Sequence, residues 1–299
     1  MTSLAAALAA RPVVLDGGLA TELEAQGYDL SSSLWSARLL ADDPGAIVAA
    51  HAAFLSAGAE VIITASYQVS YDGFMASGFE RSVVSELLKR SVHLAARARS
   101  AADDPPRWIA ASVGPYGAAL ADGSEYRGDY DLDVAGLRRW HRPRIAVLGE
   151  AEPDLLALET VPCLSEVDAL LSEVAGTGID CWLSLTCDGD RTRAGEPAAE
   201  AFAMAADVDE VIAVGVNCSD PRDIVSLVRL AATSGKPVVV YPNSGESWDA
   251  QQRAWQGAGA LAEEQVSEWV GAGARLVGGC CRVPPGSIAR IAAQLSSNR

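Results

Sequence analysis

Six cysteines stand in the chain, and three are placed to act together. Two are adjacent, Cys280-Cys281, behind Gly278-Gly279 and the apolar run Arg275-Leu276-Val277. Adjacent side chains on a strand point to opposite faces. Aiming both sulfurs at one point requires a sharp backbone turn, which glycines permit. The third, Cys218, ends another apolar run, Ala213-Val214-Gly215-Val216-Asn217-Cys218. Three thiolates on one Zn²⁺ leave its fourth position open, as catalytic rather than structural sites do. Soft thiolate ligands favour zinc over magnesium, calcium or manganese. The competing reading is three inert buried thiols, the commoner role of a free cysteine. The C…CC spacing is not that of a zinc finger, but packing alone gives no reason for the paired glycines. Cys163, Cys181 and Cys187 have no such context and read as buried hydrophobes. His51, His93 and His141 fall on helical stretches and are excluded as ligands.

The elements that would position these residues alternate along the chain. Short β-prone apolar runs cover 13–15, 61–64, 108–113, 155–158, 181–187, 213–218, 238–241 and 275–277. Between them, helical spacing of apolar residues predicts helices at about 44–57, 81–101, 133–150, 198–206 and 263–271, with a last one from Pro284-Pro285 to about 295. Ser165 with Asp168 three residues on resembles a capping box opening a helix, and Asp220-Pro221 reads as an N-cap with proline at the first helical position. Eight strand–helix units predict an α/β fold, a closed (β/α)₈ TIM barrel. With no composition break or linker, residues 1–299 are expected to form one domain. Asp16, Ser66, Gly114, Glu159, Cys218, Asn243, Cys280 and Cys281 each follow an apolar run closely, so in a barrel they share the C-terminal mouth, where active sites lie. An insert at 122–130, Asp122-Gly123-Ser124-Glu125-Tyr126-Arg127-Gly128-Asp129-Tyr130, is too long and aromatic for a simple connection and reads as a lid or binding loop.

Bulk composition removes several function classes. At 299 residues and 49% hydrophobic composition, the chain can build the large core of a barrel. A formal net charge of −16 argues against nucleic acid or an anionic membrane as partner and is compatible with a cationic substrate. The cysteines are too sparse for a disulfide scaffold, which points to reduced thiols in a cytoplasmic protein. The Ala-rich N-terminus lacks a basic start and reads as a short helix rather than a signal peptide. No window reaches the roughly 20 apolar residues of a membrane span. Neither a Walker sequence nor a Gly-x-Gly-x-x-Gly after a strand is present.

Asp16-Gly17-Gly18, Gly215-Val216-Asn217-Cys218 and Gly278-Gly279-Cys280-Cys281 resemble, in order and across nearly the whole chain, the homocysteine S-methyltransferase family. Thr64-Ala65-Ser66-Tyr67-Gln68, Ser112-Val113-Gly114-Pro115-Tyr116-Gly117 and the 122–130 insert are similar to the members that use S-methylmethionine; the betaine-using and cobalamin-using branches are less similar there. The resemblance implies a (β/α)₈ barrel and one zinc held by Cys218, Cys280 and Cys281. It implies methylation of homocysteine to methionine, with S-adenosylmethionine as a further candidate donor. The fourth zinc position is then expected to take the substrate sulfur, which removes a deprotonation penalty of about 2 kcal/mol for a thiol at neutral pH.

For homocysteine's ammonium the candidates are Asp16 and Glu159, both on family substrate-binding positions; Gly17, Gly18 and the Ser66 region are candidates for its carboxylate. Asn217 is expected to orient the ligand that follows it, and Asn243 to offer zinc an oxygen. Tyr67, Tyr71, Tyr116, Tyr126 and Tyr130 either face a sulfonium, at about 0.5–2 kcal/mol each, or simply cover the barrel top. Two other readings stay open: a betaine-dependent methyltransferase, and a non-enzymatic zinc or thiol sensor.

Overall fold

The computed structural model describes residues 2–30, 34–102, 107–249, 254–256 and 265–297. Eight parallel strands form one sheet: β1 (Val13–Val14), β2 (Val61–Ile63), β3 (Trp108–Val113), β4 (Leu155–Val161), β5 (Cys181–Leu185), β6 (Val211–Asn217), β7 (Val238–Tyr241) and β8 (Ala274–Val277). Each pairs with its sequence neighbour, and β8 returns to β1 through Val13↔Leu276 and Val14↔Val277. A single parallel bridge, Leu15↔Val61, closes the ring between β1 and β2, so the sheet has no free edge. All eight expected strands are present. The fifth stops at Leu185, and Cys187–Asp188 turns into a small antiparallel hairpin with Arg191–Thr192.

The barrel wall separates two apolar layers. Strand residues of one parity (Val13, Leu15, Trp108, Ala110, Leu155, Ala157, Trp182, Val239) face the interior. Those of the other parity (Val14, Ile109, Leu156, Leu158, Leu183, Val240) pack under the outer helices. This is the two-residue period of a strand acting on a wall buried on both sides. The expected N-terminal helix, Leu4–Ala10, does a specific job: Leu4, Ala7 and Leu8 are buried with the interior residues and plug the bottom of the barrel. Arg11 anchors its end, paired with Glu60 at 2.6 Å.

Outer helices lie where the helical spacing put them, at Pro44–Ser56, Arg81–Ser100, Val134–Glu150 and Ala198–Ala206, with the last at Pro285–Ser297. The first is capped by Asp43, whose side chain accepts from the Ala46 N–H, with Pro44 at the opening position. Asp220 caps as expected, accepting from the Arg222 N–H, although what it opens is a short 3₁₀ turn, Pro221–Asp223. The start expected at Glu263 lies outside the described residues; that helix is described from Gln265.

The capping box at Ser165 does not form. The helix begins at Leu164, with Cys163 before it, and Ser165 lies one residue inside. The Leu164 N–H is taken by Glu196 from a distant loop, at 2.8 Å. A tertiary partner has replaced the local one.

Candidate active site

The inward parity of the strands, followed upward, makes the floor of the site. Beyond the interior layer the next inward positions are Ser112 on β3, Glu159 on β4, Ser184 on β5, Asn217 on β6 and Tyr241 on β7. Here the apolar lining gives way to hydrogen-bonding groups, all buried. Trp182 Nε1 donates to the Tyr241 hydroxyl at 3.0 Å, which donates to Glu159 Oε2 at 3.0 Å. Ser112 Oγ donates to Glu159 Oε1. The carboxylate is thus aimed by three strands at once. Burial pushes its pKa up to about 7, helped by the nearby Cys218, while the two hydroxyl donors pull the other way.

Beside it, Asp16 lies just past β1. Its Oδ2 accepts from the Ile63 N–H at 2.8 Å, and its Oδ1 is buried with no partner. Burial raises this carboxyl well above the ordinary range; the Ile63 donor opposes this and Glu159 adds to it. An unpaired buried carboxylate oxygen costs free energy that a cationic hydrogen-bond donor would recover.

The sulfurs of Cys218, Cys280 and Cys281 lie within 4.8 Å of one another. Cys218 and Cys280 are 2.7 Å apart. Cys218 is held below the usual thiol range because Cys280 and Cys281 donate to it. Three sulfurs this close together could be shared by one metal ion. The donor set therefore fits a soft metal ion, and all three cysteines line one cavity, so its open side would face that cavity.

The turns that bring the sulfurs together differ from the sequence expectation. Neither Gly278 nor Gly279 has a positive φ; the left-handed residues are Cys218 (φ 47°) and Arg282 (φ 64°). The glycines are required instead for close approach. A Cβ on Gly278 would lie 2.5 Å from the Asp16 carbonyl, and one on Gly18 would lie 2.5 Å from the Cys280 carbonyl. The two Gly-Gly pairs are pressed together, which sets the carboxylate of Asp16 next to the cysteine pair.

Thr160, between Glu159 and the cysteine cluster, has φ 60°, rare for a β-branched residue. Asn217 holds it there. Asn217 Oδ1 accepts from the Thr160 N–H at 2.8 Å, and its amide donates to Thr160 Oγ1 at 2.7 Å. Ser184 also donates to Asn217 Oδ1, at 2.7 Å.

The cavity measures about 430 Å³, within the usual range for ligand sites. Asp16, Gly17, Gly18, Glu159 and the three cysteines line it. Ser66 and Asn217 do not. The Ser66 hydroxyl donates to the Ser112 carbonyl at 2.8 Å and meets Thr64 Oγ1 at 2.7 Å, so both residues brace the wall from behind. Asn243 is likewise spent, its Oδ1 accepting from the Cys281 N–H at 3.2 Å. Of the five tyrosines only Tyr67 and Tyr126 reach the cavity. Tyr71 lies under Arg81, and Tyr116 packs edge-on against Tyr130 and Trp140.

Sequence reading missed Tyr241, Ser112 and Thr160, whose roles depend on strand parity, and Glu125 on the insert, whose signal was an acid between a serine and a tyrosine in an otherwise glycine-rich turn. Among the described residues five carboxylates line the cavity, Asp16, Glu24, Asp29, Glu125 and Glu159, and no lysine, arginine or histidine does.

A family model described as homocysteine S-methyltransferase matches residues 13–295. The chain is 46% identical to homocysteine S-methyltransferase 4 of Zea mays, over 93% of this chain and 88% of that protein. It is 43% identical to the homocysteine S-methyltransferase of Escherichia coli (strain K12), over 94% of each. The crystal structure of the homocysteine methyltransferase MmuM from Escherichia coli in its metallated form is similar, with a TM-score of 0.86 at 40% identity, covering 95% of this chain and 96% of that one. This agreement of fold and sequence sets aside a non-enzymatic sensor: the protein is a methyltransferase, and it belongs to the homocysteine S-methyltransferase family.

Proposed function

We propose that this enzyme moves a methyl group from S-methylmethionine to the sulfur of homocysteine, giving two molecules of methionine, and that its metal is zinc. The observation that carries this reading is one cavity with three converging cysteine sulfurs at its base, carboxylates on its walls and no basic side chain among the described residues lining it. Cys218, Cys280 and Cys281 would hold the ion; when bound, zinc supplies a Lewis-acid centre at which a thiol is deprotonated at neutral pH.

The protein's own residues do the rest. Asp16 Oδ1 and the Glu159 carboxylate take the ammonium of homocysteine, which relieves their buried charge. The backbone of Gly17 and Gly18, on the cavity lining, receives its carboxylate. Tyr67 and Tyr126, both on the cavity lining, give the sulfonium an aromatic wall. The homocysteine sulfur attacks the methyl carbon and a new C–S bond forms. The old C–S bond breaks, and its electron pair stays on the departing sulfur, now a neutral thioether. The homocysteine thiol proton has left to solvent on binding, so the transfer itself needs no base, in keeping with the absence of histidine among the described lining residues. Catalysis rests on holding the three reacting atoms in line.

A donor panel with homocysteine (S-methylmethionine, S-adenosylmethionine and betaine), run beside metal analysis, tests this. S-methylmethionine should give the highest kcat/KM, and one zinc per chain should be found. Cys280→Ser should lose the metal and at least about 100-fold in activity. Full turnover by chelator-treated, metal-free protein, or a preference for betaine, would refute the reading.

A further inference from the structure

Glu125 is used by none of the steps above, yet it is built into the cavity wall. It is 8% exposed, it lines the cavity, and its Oε2 is buried without a hydrogen-bond partner. The segment that carries it is locked, not loose. Asp122 Oδ1 accepts from the Ser124 N–H at 2.9 Å. The Ser124 carbonyl accepts from Arg127 and Gly128, at 3.0 and 2.8 Å. Gly117 lies flat beneath it; a Cβ there would be 2.4 Å from the Glu125 nitrogen.

The nearest cation in sequence, Arg127, is directed elsewhere. Its Nε bonds Asp129 at 3.1 Å, and its other nitrogens face Asp122. A carboxylate held this way is costly unless something positive arrives, and burial already pushes its pKa up to about 7.

Both substrates of the proposed reaction carry an ammonium, and Asp16 with Glu159 accounts for only one. A sulfonium has no N–H and satisfies no lone pair, so it suits an aromatic face. An unpaired carboxylate oxygen suits a group that donates a hydrogen bond. Tyr67 and Tyr126 stand beside Glu125 on the lining.

We propose that Glu125 binds the α-ammonium of the methyl donor, so that this site selects amino-acid sulfonium donors over those lacking an N–H group. The inference rests on the sulfonium-donor reading above. It makes the 122–130 segment the donor-recognition wall, opposite in role to the Asp16–Glu159 pair.

The test compares wild type, Glu125→Gln and Glu125→Asp in the metal-loaded enzyme. Two sulfonium donors are used: S-methylmethionine, and dimethylsulfonioacetate, which has no ammonium. Glu125→Gln should raise the KM for S-methylmethionine at least tenfold and leave the KM for homocysteine within twofold, which also shows that the variant is folded. The kcat/KM for dimethylsulfonioacetate, or its inhibition constant if it is not turned over, should stay within twofold. Glu125→Asp should recover part of the loss.

An unchanged KM for S-methylmethionine in Glu125→Gln would overturn the assignment and leave Glu125 a neutral filler. So would an equal loss with both donors, or a matching rise in the KM for homocysteine. If wild type itself transfers no methyl group from any sulfonium, the underlying reading fails, and the proposal with it, before any variant is compared.

Discussion

Glu159 and Asp16 are buried carboxylates on the wall of one cavity, and under the proposed function they are the partners of the homocysteine ammonium. Each is buried, each has hydrogen-bond donors on one side, and each faces a cavity on the other. Asp16→Asn removes a charge-assisted partner worth about 1.5–3 kcal/mol, so the KM for homocysteine should rise roughly ten- to a hundredfold while the metal content stays the same. A fall in metal content would place Asp16 in the metal site instead.

Glu159 also predicts a pH dependence of stability. Its folded pKa is raised from 4.5 to about 7 by burial, so the folded state holds this proton more tightly than the unfolded chain. The stability it contributes is complete below about pH 4.5 and is lost as pH rises through about 7. The span corresponds to at most about 3 kcal/mol. Denaturant midpoints of metal-free protein at pH 5 and pH 8 should therefore differ less in Glu159→Gln than in wild type. Parallel pH profiles for the two would show that the group is solvated after all.

At the scale of elements, the site is a consequence of strand parity. Leu155, Ala157 and Glu159 point the same way because they are two apart, and the same rule carries Val239 to Tyr241 and Trp182 to Ser184. The chemistry begins one layer above the last apolar one. That interior layer is closed from below by Leu4–Ala10, far from the mouth. Leu8 is 1% exposed, so Leu8→Ala should cost about 2–5 kcal/mol in denaturant unfolding. Because the plug is at the opposite end from the cavity, KM values for both substrates should be unchanged below the unfolding transition. Altered KM values would mean that the interior layer transmits strain to the mouth.

For the whole molecule the acidic balance has a functional reading. The net charge is −16, and the described cavity lining is acidic with no basic residue. S-methylmethionine carries a net charge of +1 at neutral pH; homocysteine is neutral overall. A negative field focused in a cleft raises the encounter rate of cations and is screened by salt, with a Debye length of about 8 Å near 0.15 M. The kcat/KM for S-methylmethionine should thus fall severalfold between about 0.02 and 0.5 M salt, while that for homocysteine stays nearly flat. Equal salt dependence for the two would assign the acidity to solubility alone. Among the described residues no helix is long and apolar enough to cross a membrane.

Much of this protein could be read from its sequence because the controlling signals are local. Eight apolar runs separated by helical spacing specify a (β/α)₈ ring, and ring closure puts residues after each run at one mouth. That is why Cys218 and Cys280, 62 apart in sequence, were expected together, with Asp16 and Glu159 beside them. What only the tertiary structure decided is which groups face the cavity and which are already engaged. Ser66, Asn217 and Asn243 look like ligand-binding groups in sequence, yet their hydrogen bonds are spent on the Ser112 carbonyl, Thr160 and the Cys281 N–H. Glu125 reads as an ordinary loop acid, yet it is buried with an empty lone pair. The glycines before the cysteine pair are needed for contact with Asp16, not for a left-handed turn. Local composition sets where a chain runs inward or outward; the partner that satisfies a polar atom comes from a distant strand or loop, and only packing the whole barrel selects it.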